Sequence, residues 1–303
     1  MTKVRKASID IGTNSTRLLL VDIDKSGVMT PVLTREHITR LGEGISPSGE
    51  LSAQAMNIVL DTLKAFKAII EEHCVEECQV FATSATRDAK NRSVFLDLIT
   101  ARTGFMCRVL SGDEEAELSF LGVISDLSID ENMLVCDVGG GSTEFIFSRD
   151  QSISHKISLD IGSRRLTRLH MRTDPPLRNE IDSLKSAVEM ELIKNLPEGL
   201  AADRLVCVGG TATTLAQIDA GIHYNSGLSV HHRVLLQDHL CGMIKDLIEK
   251  PSSQRREIHG LHPDRADVIL AGALIIATIF EHYRFSQAIV SQRDLLFGIF
   301  LEE

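Results

Sequence analysis

Two seven-residue stretches of the sequence carry residue types that bind anions. They read DIGTNST at 10–16 and DVGGGST at 137–143, with aspartate, glycine, serine and threonine in the same relative places. Glycines let backbone N–H groups approach an anion without an intervening Cβ, and hydroxyl groups add further donors. The chemistry predicted for both stretches is therefore the binding of a phosphate-like oxyanion.

The flanking residues predict the elements that position these two loops. Apolar runs precede and follow each loop, so each copy reads as a strand, a tight turn and a second strand. A duplicated strand-turn-strand unit predicts two similar domains whose loops face each other across a cleft. The predicted phosphate-binding residues are Thr13, Asn14 and Ser15 in the first loop and Gly139, Gly140, Gly141, Ser142 and Thr143 in the second.

Three carboxylates fall at strand ends beside these loops. Asp10, Asp137 and Glu144 would repel an oxyanion unless a cation lay between them. Such a group suits a hard divalent ion, so the predicted ligand is Mg²⁺, and whether K⁺ assists it stays open. The alternative for Asp10 and Asp137 is that each forms a turn by bonding its own backbone.

Composition limits the class of protein. The chain has 303 residues, 43% of them hydrophobic, which favours two domains, and its net charge of −10 argues against general nucleic-acid binding. No apolar run is long enough for a membrane span and no signal peptide is evident, so we expect a cytoplasmic protein with six reduced cysteines.

Hydrophobic periodicity predicts an α/β fold with a βββαβαβα order in the first half. Ser52 is predicted to cap a helix with an apolar face, and a later helix is predicted from Arg87 to Arg102. The polar stretch 125–132 marks the predicted boundary between domains at 1–126 and 127–303. The second half then restarts with the repeated hairpin.

Five segments together resemble the motifs of the Ppx/GppA family. They are DIGTNS from Asp10, ATSATR from Ala82, SGDEEA from Ser111, DVGGGSTE from Asp137 and VGGTAT from Val208. The resemblance spans nearly the whole chain and is closest to the short members of the family. It implies two actin-like (ribonuclease H-like) domains with an interdomain cleft. It also implies an exopolyphosphatase or a guanosine pentaphosphate phosphatase.

The resemblance also implies roles for single residues. Ser111 and Glu114 form a possible capping box, and sequence alone does not separate Glu115 from its acidic neighbours as a general base. The family pattern selects Glu115, with complementing the helix dipole as the alternative. Arg87 is predicted to grip phosphate or, alternatively, to form a surface salt bridge. The loop Gly209-Gly210-Thr211 is expected either to contact a nucleotide or to allow tight packing of a strand on a helix.

Other basic residues could guide a long polyanion, although each could equally lie on a solvated face. They are Arg164, Arg165, Arg168, Arg172, His231, His232, Arg233, Arg255 and Arg256. Near the C-terminus the family's usual glycine and arginine are replaced by Asp294 and Leu296, which leaves the phosphate contact of that arginine without an equivalent, unless Arg293 takes it over.

The expected partners are inorganic polyphosphate and guanosine penta- or tetraphosphate, bound by a monomer or a homodimer. Two other functions remain open on the same fold. One is an ATP-dependent kinase and the other is a regulator that binds guanosine tetraphosphate without catalysis. Release of phosphate from polyphosphate with neither acceptor nor nucleotide present would separate the hydrolase from both.

Overall fold

The structure is a computed structural model that describes residues 3–44, 49–128, 131–197 and 199–302. Within these ranges the strands are β1 (Val4–Ile11), β2 (Thr16–Ile23), β3 (Met29–His37), β4 (Glu77–Ala82), β5 (Cys107–Val109), β6 (Met133–Val138), β7 (Thr143–Arg149), β8 (Ser152–Leu159), β9 (Arg204–Val208), β10 (Arg233–Leu236) and β11 (Gln287–Val290). The helices are α1 (Ala53–Glu72), α2 (Ser84–Asp88), α3 (Arg92–Thr103), α4 (Gly112–Ile124), α5 (Ser163–His170), α6 (Arg178–Asn195), α7 (Gly209–Ala220), α8 (Gln237–Glu249), α9 (Ser252–Arg255), α10 (Ile269–Tyr283) and α11 (Leu295–Gly298).

The strands form two mixed sheets with the same internal plan. The first has the order β3-β2-β1-β4-β5 and the second β10-β11-β9-β6-β7-β8. In each, an antiparallel three-stranded unit (β1–β3, β6–β8) is extended by a parallel strand, β4 beside β1 or β9 beside β6. The predicted α/β fold with two actin-like domains is confirmed. We call the part built on the first sheet the first lobe and the part built on the second sheet the second lobe.

Helix α1 shows how local sequence fixes an element of the first lobe. Ser52 caps it as predicted, because its hydroxyl accepts a hydrogen bond from Ala55 N at 3.1 Å. The predicted apolar face is buried, and Val59, Leu63 and Phe66 are each fully inaccessible to solvent. Burial of each such side chain contributes about 1.5–3 kcal/mol, so packing on the sheet, more than helix propensity, holds α1 in place.

The predicted helix from Arg87 to Arg102 is wrong at its beginning. The structure ends α2 at Asp88 and begins α3 at Arg92, because Ala89 has extended backbone with φ −77° and ψ 131°. The Asn91 side chain then binds both backbone groups of Leu51, 40 positions away, at 2.9 and 3.0 Å. These long-range bonds break a segment whose local pattern is helical throughout.

The last helix, α11, packs against the first lobe. The Ser8 hydroxyl of β1 donates to the Leu296 carbonyl at 2.7 Å, and Leu295 and Leu296 join a buried cluster with Phe81 and Leu118. Residues from both ends of the sequence therefore share one core. The domain boundary at 126/127 stays a prediction, and the structure adds that a short C-terminal segment crosses back over it.

A glycine substitution tests this packing. A Cβ at Gly298 would lie 1.8 Å from the carbonyl oxygen of Leu118, so the backbones of α4 and α11 must separate. We expect Gly298→Ala to lower the free energy of unfolding by at least about 1–3 kcal/mol. The matched control is Gly242→Ala in the exposed interior of α8, where a Cβ has no neighbour within 4 Å and should stabilise by about 0.5–1 kcal/mol. Urea unfolding measures both, and a neutral Gly298→Ala would contradict the packing.

In the part of the chain that the structure describes, no helix has both the length and the apolar character needed to cross a bilayer. All six cysteines are free; Cys136 and Cys207 are buried, whereas Cys74 is exposed.

Candidate active site

The two glycine-containing loops face each other across a cleft between the lobes. They repeat one hydrogen bond, from Gly12 N to Ser15 O at 2.9 Å and from Gly139 N to Ser142 O at 3.1 Å. The loops are also in direct contact, since a Cβ at Gly140 would lie 3.1 Å from the Cβ of Asn14. The duplicated sequence thus corresponds to duplicated structure. The space between the loops is the floor of the cleft.

Helix α5 orients the second loop by its carbonyl groups. The carbonyls of residues 139–141 accept hydrogen bonds from the backbone N–H groups of 163–165 and from Arg165 Nε, with N···O distances between 2.7 and 3.0 Å. These peptides are trans, and in a trans peptide the C=O and N–H groups point in opposite directions. The N–H groups of residues 140–142 therefore point away from α5, into the cleft, where they can bind an anion.

The first loop presents side-chain donors to the same space. Thr13 Oγ1 accepts from Ala85 N at 3.2 Å, which leaves its hydroxyl hydrogen free to donate. Asn14 Oδ1 accepts two hydrogen bonds from Arg164, at 2.6 and 2.8 Å, so the amide orientation is fixed. Asn14 Nδ2 is left buried without a partner. A buried, unpaired donor that lines a cleft is well suited to an oxyanion.

The cleft lining contains most of the predicted site residues. It consists of Asp10, Gly12, Thr13, Asn14, Ser15, Arg17, Thr83, Ser84, Glu115, Asp137, Val138, Gly139, Gly140, Gly141, Ser142, Ser163, Gly209, Gly210, Thr211, Arg265 and Leu295. Thr143 is the exception in the second loop. Its hydroxyl donates to the Ile161 carbonyl at 2.6 Å, so the structure gives it a bond within the second lobe in place of the predicted phosphate contact.

The carboxylates beside the loops are deeply buried. Asp10 Oδ2 accepts two hydrogen bonds from Arg17, at 2.7 and 3.0 Å, whereas Asp10 Oδ1 is buried without a partner. Asp137 Oδ2 accepts from Ser119 Oγ at 2.9 Å. Burial, and then the nearby charge of Glu144, raises the pKa of Asp137 to about 8. Burial also raises the pKa of Asp10, although Arg17 opposes it. The surrounding protein groups therefore do not fully stabilise the ionised form of either carboxylate.

A divalent cation fits these carboxylates if a bound anion supplies some of its remaining ligands. Asp10 and Asp137 reach the cleft, whereas Glu144 stands behind it, bonded to Ser158 Oγ at 2.7 Å. Among the described residues, Asp10, Asp137 and Glu144 are not a trio whose ligand atoms lie within 4.8 Å of one another. Mg²⁺ commonly binds one or two carboxylates and takes its remaining ligands from phosphate oxygens and water.

Glu115 lies in the cleft on α4, whose start is fixed by the predicted capping box between Ser111 and Glu114. Its side chain is buried, and Oε2 accepts a hydrogen bond from Arg87 Nη1 at 2.9 Å. Burial, and then the charge of Glu144, holds the pKa of Glu115 well above its usual value, although Arg87 lowers it. A carboxylate with a raised pKa is a stronger base, which suits proton abstraction.

Arg87 occupies a different place from the predicted one. It lies in the last turn of the five-residue helix α2 and not at the start of a helix, where the predicted segment from Arg87 to Arg102 places it. Besides Glu115, its Nη1 atom reaches the Leu110 carbonyl at 3.1 Å, and the residue lines a neighbouring cavity with Asp113 and Asp160. Arg87 therefore lies beside Glu115 but outside the cleft lining, where it supports the position of that carboxylate.

The altered C-terminal segment supports the first loop's aspartate. Asp294 caps α11 by accepting from Leu296 N at 3.0 Å, and its other oxygen pairs with Arg17, the partner of Asp10. Arg293 points elsewhere, with Nη1 on Ser125 Oγ at 2.9 Å, and does not line the cleft. The structure therefore gives Arg293 no place in the cleft as a substitute for the missing arginine.

Residues 209–211, predicted as a loop, begin helix α7 and are closely packed. A Cβ at Gly209 would lie 2.4 Å from Asp137 Oδ1, and one at Gly210 would lie 2.1 Å from Arg265 Nη2. The Thr211 hydroxyl donates to the Val138 carbonyl at 3.0 Å. Of the two alternatives, close packing explains these glycines directly. Arg265, which none of the sequence motifs indicates, fills the space in front of Gly210 and pairs with Glu36 of the first lobe.

Only some of the basic residues predicted to guide a long polyanion are free to contact one. Arg255 is buried and donates to the carbonyls of Leu247 and Ala266, so its role is structural and the prediction that it guides the polyanion is wrong. Arg164 is also buried and donates a hydrogen bond to Asn14, a residue that lines the cleft. His231 is paired with Asp126 at 2.7 Å. Arg168 and Arg172 stay candidates for contact with a long anion.

Comparison with known proteins gives a consistent family. Residues 19–303 match the model of the Ppx/GppA phosphatase family. The chain is 32% identical to exopolyphosphatase 2 of Mycobacterium tuberculosis, over 99% of each protein. It is 34% identical to a bifunctional 3-dehydroquinate synthase/phosphatase of Fusobacterium nucleatum, over 98% of this chain and 46% of that longer relative. The solved Ppx/GppA enzyme of Aquifex aeolicus superposes over 100% of both chains with a TM-score of 0.83 at 33% identity. The chain therefore belongs to the Ppx/GppA phosphatase family.

Proposed function

We propose that this chain is an exopolyphosphatase, which hydrolyses the terminal phosphate of inorganic polyphosphate. The observation that carries the proposal is that Glu115, a buried carboxylate with a raised pKa, lies in the same cleft as the two facing anion-binding loops. The relative from M. tuberculosis that the chain matches end to end is named an exopolyphosphatase, which supports the substrate.

The residues of the cleft divide the chemistry between positioning and proton transfer. The N–H groups of residues 140–142 and the donors of Thr13 and Asn14 hold the terminal phosphoryl group from two sides. Glu115 accepts a proton from water as the water oxygen bonds to phosphorus, and the bond from phosphorus to the bridging oxygen breaks. The remaining polyphosphate leaves with that oxygen. Phosphoryl transfer depends mainly on such positioning and on neutralising charge.

Mg²⁺ is the proposed metal, held by Asp10 and Asp137 with Glu144 behind them. When bound, it would supply positive charge to the phosphate oxygens. The unpartnered oxygen of Asp10 supports this assignment, because a buried carboxylate oxygen without a donor is costly unless a cation balances it.

Removal of the metal is expected to stop turnover. We expect EDTA to lower phosphate release at least about 100-fold, because the phosphate oxygens would lose the positive charge that the metal supplies, and excess Mg²⁺ to restore it. A phosphate-release assay before and after chelation measures this, with K⁺ present and absent as separate arms. Full activity in EDTA would remove the metal from the proposal.

The function itself is tested by phosphate release from long polyphosphate, short polyphosphate and guanosine pentaphosphate, each with Mg²⁺ and no acceptor. We expect release from polyphosphate. Release from guanosine pentaphosphate alone would select the alternative substrate that the sequence left open. Tight binding of guanosine tetraphosphate with no release under any divalent ion would favour a regulator. The cytoplasmic location and the monomeric or dimeric state stay predictions.

A further inference from the structure

Ser84 is a cleft residue to which neither the repeated loops nor the carboxylates assign a role. It is the first residue of α2, follows β4, and is 2% exposed. Its hydroxyl oxygen is buried and has no hydrogen-bond partner, yet the residue lines the cleft. An internal hydroxyl group that bonds to nothing destabilises a fold, so its retention in a binding cleft points to a ligand.

The position of Ser84 is defined by contacts to both anion-binding loops. A Cβ at Gly141 of the second loop would lie 2.4 Å from Ser84 Oγ and 2.8 Å from Thr13 Oγ1 of the first loop. The hydroxyls of Ser84 and Thr13 therefore converge on the same glycine from the opposite lobe. Thr13 Oγ1 already accepts from Ala85 N, so its hydrogen and that of Ser84 are both available to a third group.

Thr86, two residues further along α2, provides an internal comparison. Its hydroxyl is also buried and without a partner, and the residue is fully inaccessible. Unlike Ser84, it does not line the cleft. The two residues share helix, burial and an unpaired hydroxyl, and differ in whether a substrate can reach them.

We propose that Ser84 is a substrate-binding residue whose hydroxyl donates a hydrogen bond to a non-bridging oxygen of the phosphoryl group held between the two loops. The inference rests on the proposed phosphatase function and adds a third segment, the start of α2, to the two loops.

The test compares Ser84→Ala with Thr86→Val, each of which removes one unpaired hydroxyl. We expect Ser84→Ala to lower kcat/KM for polyphosphate about tenfold to a hundredfold, as for a hydrogen bond to a charged group. Thr86→Val should leave it unchanged. Neither variant should have a lower Tm than the wild type, because no protein hydrogen bond is lost. Stabilisation by orthovanadate, a phosphate analogue, should shrink in Ser84→Ala alone.

Each other outcome has a definite meaning. Unchanged kcat/KM and an unchanged orthovanadate shift in Ser84→Ala, with an active wild type, would overturn the inference and leave the phosphatase function standing. Equal losses in both variants, or a lowered Tm in Ser84→Ala, would also overturn it, since both indicate a role in folding. A wild type that releases no phosphate from any polyphosphate would instead overturn the proposed function, and orthovanadate shifts would still decide whether Ser84 binds an anion.

Discussion

Glu115→Gln is expected to lower kcat for polyphosphate about 10²- to 10⁴-fold, the range for loss of a general base, while leaving KM within a few-fold of the wild type. Glutamine keeps the shape of the side chain and can still contact Arg87, which bonds Glu115 Oε2 at 2.9 Å. It cannot accept a proton from water. Steady-state phosphate release measures both constants, and undiminished kcat would remove Glu115 as the base.

The same variant should be more stable than the wild type, and the gain should depend on pH. Burial, and then the charge of Glu144, raises the folded-state pKa of Glu115. The unfolded chain therefore loses this proton at lower pH, and wild-type stability falls as the pH rises above the unfolded carboxyl pKa of about 4.3. Glutamine has no such proton. We expect the difference in unfolding free energy to increase from about pH 5 to pH 8. A loss of stability in the variant would contradict the burial argument.

Gly141→Ala is the second substitution with a large expected effect. A Cβ there would lie 2.4 Å from Ser84 Oγ and 2.8 Å from Thr13 Oγ1, so both hydroxyl groups must move from their places in the cleft. We expect kcat/KM to fall about 100-fold, because displacement of reacting groups by roughly 1 Å costs about that much. Phosphate release and a crystal structure of the variant would together show whether the loops separate.

Gly242→Ala provides the matched control for this change, since it adds the same methyl group at an exposed helical position without neighbours. Its kcat/KM should equal that of the wild type. If Gly141→Ala were as active as Gly242→Ala, the two loops would not need the close contact that the structure shows.

The loops and their hairpins were predictable from the sequence because the signal is local and repeated. A strand, a turn with glycine and a strand lie within about twenty residues in each copy, and the register of β6 with β7 pairs Asp137 with Glu144 as β1 with β2 pairs Asp10 with Arg17. Local patterning also predicted the caps of α1 and α4. The cleft followed from the duplication, because two equivalent loops needed a common ligand.

Other features depend on contacts between distant residues and left no local pattern. Strand β10 forms only by antiparallel pairing with β11, a strand that lies much later in the sequence. The break at Ala89 depends on Leu51 and Asn91. Arg265 is held at the cleft by its pairing with Glu36, which lies 229 positions away in the sequence. Ser84 lies in the ATSATR motif that starts at Ala82, but only the structure shows that its hydroxyl has no partner.

The return of α11 to the first lobe has a consequence for how the protein is made. Ser8 bonds to Leu296, 288 positions later, and Phe81 and Leu118 rest on side chains from the same late segment. A chain emerging from the ribosome must therefore carry this apolar surface uncovered through most of translation. Until α11 has been synthesised, the first lobe exposes apolar side chains that the folded protein conceals, a surface of the kind that chaperones bind.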